Sequence, residues 1–487
     1  MDNFKIDTTI ENQQVFDKIK FFIDQEINNK DFKKLINDLS SNLDLPKDVV
    51  SLKVKRLFRS KYNYKKGCFE LNNSYLKLFL NYCISILLLI INFIPKPKYK
   101  NSFYNLIIDD INELDQAKRF YKITSKLDNS LMIVKPPLEG RSRIFHKINN
   151  KNLKKIKSNF FLMCKVDVKS NLNLFKILSE FFILSLRKKI DFCYFLRYTI
   201  ISYLKYSSIF EIHKADYLIQ DRFFSTCSIK NYLFKKKGGK FSCCTQIHLV
   251  ESTLSLYSDI DIFLSYGKEQ DSIKKFNKLG GRVNKSIPVG SHKMEYLWHD
   301  KNRTYKKKDI DILIIGINPI SWFHISKDMQ ENLYKFLNWV KMISIKNPKY
   351  NIVYKHHKNF PENSKEDKDE NLILKGSSIK KIIKSEPNIN AYDLMDRSKM
   401  ILSYGSSMIL EGASSKKNCF FVRPHNNNSI HFSDLDYVNK IIIGNYDDLE
   451  KKIKLILEEK KNFDISNDEI CLNSQNVSDN ILKFLNS

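Results

Sequence analysis

Apolar and polar positions along this chain follow two rhythms. Short apolar runs bounded by turn residues read as buried strands, and longer mixed stretches between them read as helices. The first set of strands comprises "FYNLIID" (Phe103–Asp109), "LMIVK" (Leu131–Lys135), "DYLIQ" (Asp216–Gln220), "KFSCCTQIH" (Lys240–His248), "DIFLSYG" (Asp261–Gly267) and "KSIPVG" (Lys285–Gly290). Helices are expected at "INELDQAKRFYKI", Leu172–Tyr206, Ile229–Lys236 and Glu269–Leu279. A polar stretch, "HDKNRTYKKKD" (His299–Asp309), reads as a linker, and the rhythm then restarts. "IDILIIG" (Ile310–Gly316) is a strand, Met329–Ser344 a helix, "YNIVYKHH" (Tyr350–His357) a strand and Asn359–Ile373 a polar loop. "KMILSYGSSMILEGASSKKNCFFVRP" reads as strand–helix–strand, and Tyr446–Glu459 as a closing helix.

Strands alternating with helices imply parallel sheets covered on both faces. Two such sets joined by a linker predict an α/β chain with two Rossmann-like domains facing a cleft. The expected divisions are a helical, basic extension over 1–100, an N-terminal domain over 101–298, a C-terminal domain over 309–460 and a tail over 461–487. Ligands in such sheets bind outside the carboxyl ends of the strands, so the residues directly after each strand are the ones to inspect.

One segment breaks the soluble pattern. Leu78–Ile94, "LFLNYCISILLLIINFI", runs 17 residues without a charge. That is the lower limit for crossing a bilayer. Basic residues flank both ends, so charge does not orient it. A core helix, an in-plane anchor and a span all fit. The anchor is preferred, because the segment shows no polar face by inspection.

Composition adds direction. The 487 residues carry a net charge of +28, which attracts nucleic acid, phosphorylated substrates or anionic lipid headgroups. No nucleic-acid-binding motif is present, so a membrane surface or a sugar-phosphate ligand is favoured and nucleic acid is not expected. The nine cysteines lack CxxC spacing and suit buried thiols in a reducing compartment. P-loop, GxGxxG and GxSxG signatures are missing.

Candidate chemistry clusters at strand ends. Gly405, Ser406 and Ser407 follow "MILS" and open a helix at about Ser406, where small residues admit an anion to backbone N–H groups. Glu411 lies one turn later, within reach of ribose hydroxyls; plain capping with a solvated Glu fits equally well. Lys355 and His356 lie at the end of "YNIVYKHH", where either suits phosphate or merely a polar strand terminus. His248, with Glu251 nearby, follows the strand "KFSCCTQI" and suits a general base or a structural histidine. The DxD pairs Asp259–Asp261 and Asp309–Asp311 precede strands and therefore lie at the wrong end for a metal site.

Several of these pieces resemble bacterial GT-B enzymes of surface polysaccharide synthesis, a group that includes CDP-glycerol glycerophosphotransferases and capsule transferases. "ILSYGSSMILEGASSKKNCFFV" is similar to their D-x-SS-x-x-x-E segment, "YKHH" to their K-x-H-P strand end and "TQIHL" to their x-x-x-H-G. "DIFLSYGKEQDSIKKFNKLGGRVNKSIPVGSHKMEYL" resembles the end of their N-terminal domain. His357 replaces their Pro, Leu249 their Gly, and Tyr404 an Asp.

The resemblance implies a metal-independent glycosyltransferase, or polyol-phosphate transferase, without a cofactor. Its donor would be a nucleotide-activated sugar, bound through Lys355, His356, Gly405, Ser406, Ser407 and Glu411. His248 would be catalytic with Glu251. A lipid-linked saccharide would be the acceptor, and the enzyme would sit on the anionic cytoplasmic face of the bacterial inner membrane. On this reading Glu411→Ala weakens nucleotide binding and leaves the fold intact. A sugar-nucleotide epimerase of the UDP-N-acetylglucosamine 2-epimerase type and a non-catalytic saccharide- or membrane-binding protein are the alternatives.

Overall fold

The computed structural model describes residues 12–487 except 64–66, 72–73, 94–99, 136–152, 158–167, 223–225, 247–255, 269–270, 297–307, 318–326, 358–359, 361, 383–389, 425–439, 464–470 and 473–475. Two all-parallel sheets organise it. The N-terminal sheet has seven strands, β3 (Ser102–Ile111), β4 (Ser130–Val134), β5 (Leu153–Lys157), β6 (His213–Gln220), β7 (Phe241–Thr245), β8 (Asp259–Ser265) and β9 (Arg282–Pro288). Their spatial order is β5-β4-β3-β6-β7-β8-β9. The C-terminal sheet has six, β10 (Ile310–Ile315), β11 (Ile352–Lys355), β12 (Lys380–Ile382), β13 (Ser398–Ser403), β14 (Asn418–Val422) and β15 (Ile442–Ile443). Their order is β12-β11-β10-β13-β14-β15.

In each sheet the order reverses beside the first strand, between β3 and β6 and between β10 and β13. Crevices open at such reversals. The expected two-domain α/β architecture is therefore present. The linker expected at 299–309 lies outside the described residues except for Lys308 and Asp309.

The extension is not a separate unit. Helices α1 (Asn12–Ile27), α2 (Lys30–Leu43) and α3 (Lys47–Arg59), a hairpin of β1 (Tyr62–Asn63) and β2 (Cys68–Phe69), and α4 (Tyr75–Phe93) precede the sheet. The long apolar stretch after β5 is two helices, α7 (Val168–Lys188) and α8 (Phe192–Ile212). Asp191 divides them, its carboxylate accepting from the Tyr194 N–H at 2.9 Å to cap α8. Phe32, Phe58, Phe192 and Phe195 interlock across α2, α3 and α8. They share one buried cluster with Ile107, Leu218 and Phe263 of the sheet. The extension thus forms one cover of the N-terminal sheet.

Two other expectations need correction. Asn359–Ile373 is not all loop: α13 (Lys365–Leu374) occupies its second half, capped by Ser364 accepting from the Asp367 N–H. Its only fully buried side chain is Glu370, so it carries no apolar stripe for periodicity to detect. Nor is 461–487 a free tail. Its helix α17 (Val477–Leu485) returns to the N-terminal domain, burying Val477, Ile481, Leu482 and Leu485 with Leu106, Met132 and Ile219.

Candidate site between the two sheets

The carboxyl ends of both sheets reach one junction. Tyr266 follows β8, Ser291 follows β9, and Glu411 belongs to α15 (Met408–Ser414), the helix after β13. Ser291 Oγ donates to Glu411 Oε1, and the Tyr392 hydroxyl donates to Oε2 at 2.7 Å. Tyr392 sits on α14 (Ala391–Asp396), so this carboxylate ties the end of the N-terminal sheet to two helices of the other domain. Burial, and then the Glu411 charge, push the Tyr266 and Tyr392 phenols upward. Glu411 is 1 % exposed. The carboxylate is enclosed at this junction, which corrects the alternative expectation of a solvated Glu. A sugar hydroxyl would have to displace Ser291 or Tyr392.

The Gly-Ser-Ser turn is placed at the reversal of the C-terminal sheet, as strand-end logic requires. Ser403 Oγ donates to the Ile315 carbonyl at 2.7 Å, bridging β13 to β10. The same oxygen accepts from the N–H groups of Gly405 at 3.4 Å and Ser406 at 3.1 Å. Ser406 Oγ in turn accepts from the Met408 N–H at 3.3 Å. The helix starts at Met408, not Ser406, and has only seven residues. Two of the N–H groups expected to cradle phosphate are therefore used within the turn. Gly405 is buried, and the half-buried Ser406 and Ser407 are its accessible residues.

His356 is also sequestered. Its Nε2 meets Glu370 Oε2 at 3.0 Å, and the Tyr354 hydroxyl donates to Glu370 Oε1 at 3.0 Å. Phe360 lies against the imidazole, with ring centroids 4.0 Å apart. This cluster fixes α13 to the sheet edge, with the His356 imidazole buried within it. Lys355, one residue earlier, is half-buried at the strand end. His248 and Glu251 lie outside the described residues.

Strand-end basic residues form a pattern that the motif search passed over. Lys135 follows β4, Arg222 comes two residues after β6, Lys355 ends β11, and Arg423 follows β14. Arg423 Nε donates to the Tyr404 carbonyl at 3.4 Å, which places it beside the Gly-Ser-Ser turn. At the reversal of the N-terminal sheet, Asp109 pairs with Lys230 at 2.7 Å, both 1 % exposed. Burial alone would raise the Asp109 carboxyl, but Lys230, Lys205 and Lys135 more than offset it and hold it low. Burial depresses Lys135 to about 8. Arg119 pairs with buried Asp221 at 3.0 Å, and His292, against Phe120 and Arg119, is held down to about 3 chiefly by burial. The rule that finds Ser406 also finds Arg423 and Lys135, because each directly follows an apolar strand.

The DxD aspartates sit at strand entrances and are paired. Asp259 meets Arg282 at 3.0 Å, Asp261 meets Lys235 at 2.8 Å, Asp311 meets Lys399 at 2.7 Å, and Asp309 meets Arg397. Among the described residues no group of three or more His, Cys, Asp or Glu is placed to hold a metal ion.

No family model and no curated protein matches this chain. Solved structures do. A UDP-GlcNAc 2-epimerase from Neisseria meningitidis bound to UDP-GlcNAc is 13% identical, covering 79% of this chain and 99% of that one, with a TM-score of 0.47. Anabaena Alr3699/HepE in complex with UDP and glucose is 10% identical over 79% and 99%, with a TM-score of 0.40. The E. coli heptosyltransferase WaaC with ADP is 10% identical over 67% and 89%, with a TM-score of 0.28. The likeness extends no further than the layout of the chain.

Proposed function

We propose that this protein binds a nucleotide-activated sugar, or a related activated polyol, between its two sheets and transfers it to a lipid-linked saccharide acceptor. One observation carries the reading: the carboxyl ends of both parallel sheets meet at the Glu411 junction, where Lys355 ends its strand and Lys135, Arg222 and Arg423 come within two residues of the ends of theirs. Cations at the strand ends suit a diphosphate, and they would stabilise the charge that develops on a departing nucleotide. Lys355, Arg423 and the Ser406 and Ser407 hydroxyls supply the donor side. Lys135 and Arg222 would add positive charge from the strand ends of the N-terminal sheet. Glu411 is a positioning residue that holds the two domains in register. The acceptor's proton would go to His248, on the family resemblance. Assembly of surface polysaccharide at the cytoplasmic face of a bacterial inner membrane is the setting this chemistry fits.

Calorimetry with a panel of nucleoside diphosphates tests the reading. Binding of at least one is expected, and Arg423→Gln should weaken it about tenfold, the worth of one charge-assisted hydrogen bond. No binding by the wild type would overturn the reading in favour of a non-catalytic role. Incubation with UDP-N-acetylglucosamine alone separates transfer from epimerisation. An epimer formed without acceptor would replace the transferase assignment.

A further inference from the structure

Helix α4 is built inside out. Its polar residues Asn81, Ser85 and Asn92 are buried, whereas Tyr75, Leu76, Phe79, Leu80, Leu87, Ile90 and Phe93 are exposed. Positions 81, 85 and 92 fall within about 40° of one another on a helical wheel, so they form one narrow strip. Each inward contact is specific. Asn81 Nδ2 donates to Asp191 Oδ2 at 2.7 Å, and its Oδ1 accepts from Arg197 Nη1 at 2.7 Å. Ser85 Oγ donates to the Asn81 carbonyl at 2.8 Å, and Asn171 of α7 donates to the Leu89 carbonyl at 3.0 Å. Among the described residues α4 is the helix long and apolar enough to cross a membrane. Yet it is held along its length against α7 and α8, which fits lying in a membrane plane and not spanning it.

The exposed apolar surface does not stop at α4. Phe93 stacks on Phe175 and Tyr82 on Phe182, which joins it to the outer stripe of α7. That stripe continues through exposed Val168, Leu172 and Leu186. The two helices run antiparallel, so Lys77 of α4 lies at the same end as Arg187 and Lys188 of α7 and Lys189 just after it. Lys169 lies at the other end, and all five are exposed.

We infer that the joint outer face of α4 and α7 docks on the surface of an anionic lipid bilayer. A protein partner would be met by polar groups through the patch, at about one hydrogen bond per 100–200 Å². The exposed side chains of α4 between Phe79 and Ile90 are all apolar (Phe79, Leu80, Leu87 and Ile90), and the exposed cations of α4 and α7 other than Lys176 lie toward the two ends. Hydrocarbon below and phosphate headgroups at the two ends match that distribution. Docking does not depend on which donor the cleft takes, so it stands or falls separately from the transferase reading.

Flotation of the full chain with vesicles tests it. Binding is expected to phosphatidylglycerol-containing vesicles and to be much weaker with phosphatidylcholine alone. Replacing both Leu80→Glu and Leu87→Glu should lower partitioning at least about tenfold, since each removes a buried leucine from the bilayer. Leu372→Glu, an exposed leucine on α13, should leave it unchanged. A single Leu87→Trp probe, quenched by brominated lipid, reports insertion even where the double variant folds poorly. Unquenched Leu87→Trp, or wild-type partitioning by the double variant, overturns the inference. So does a wild type that ignores vesicles but forms a concentration-dependent dimer dissociated by Leu80→Glu, which would make the face a contact between copies.

Discussion

Removing the Glu411 carboxylate leaves two buried hydroxyls, those of Ser291 and Tyr392, without their acceptor. Each stranded buried donor costs about 1–3 kcal/mol, so Glu411→Ala should destabilise the protein by about 2–6 kcal/mol. This replaces the expectation that the substitution spares the fold. Glu411→Gln keeps the shape and one strong acceptor and should cost roughly half as much. Urea unfolding of the pair checks this; equal, negligible losses would mean that the carboxylate holds nothing. The sequence showed where the Gly-Ser-Ser turn falls, because a strand end is local. It did not show that Glu411 is already occupied. Its partners lie 120 and 19 residues away, beyond anything spacing reports. The surroundings of His356 are hidden from sequence for the same reason: Glu370, which pairs with it, arrives on a helix too charged to be recognised.

The strip that fixes α4 makes an unusual demand on its residues. Replacing Asn81 by Leu makes the helix more apolar, which hydrophobicity alone would count as neutral or favourable. Here it takes one hydrogen-bond partner from Asp191 and one from Arg197 at a buried position. The expected result of Asn81→Leu is a loss of about 2 kcal/mol in denaturant unfolding, against a change within about 0.5 kcal/mol for Leu80→Glu on the outer face. The reverse ranking would mean that the helix buries its apolar side. Apolarity over 78–94 was legible, and so in principle was the phase of 81, 85 and 92. Three polar residues scattered through an apolar run do not look like a face until they are placed on a helix. That the other side would stay uncovered needed α7 and α8 in position.

At the scale of the molecule, the chain returns to where it began. After α16 (Tyr446–Leu457) it passes Tyr266, whose carbonyl accepts from the Leu472 N–H at 2.8 Å. It then lays α17 on the N-terminal sheet. Asn480 donates to the Val289 carbonyl at 3.1 Å, the Ser478 N–H to Glu295 at 3.0 Å, and Asp479 pairs with Lys126. The two-domain order was readable from repeated strand–helix rhythm, but nine residues after a polar stretch carry no mark of which domain they join. The consequence is a coupling between domains. Ile481 is fully buried, and Ile481→Ala should cost about 2–5 kcal/mol. Although residue 481 follows the C-terminal domain in sequence, the loss should fall on the other one. Hydrogen exchange followed by peptide resolves this. Protection should drop in β3 and β4, against which α17 packs, while β10 and β13 keep theirs. An equal drop in both sheets would mean that the two domains open as one unit, with Glu411 and α17 clamping the cleft together. A drop confined to β10 and β13 would mean that α17 belongs to the C-terminal domain after all.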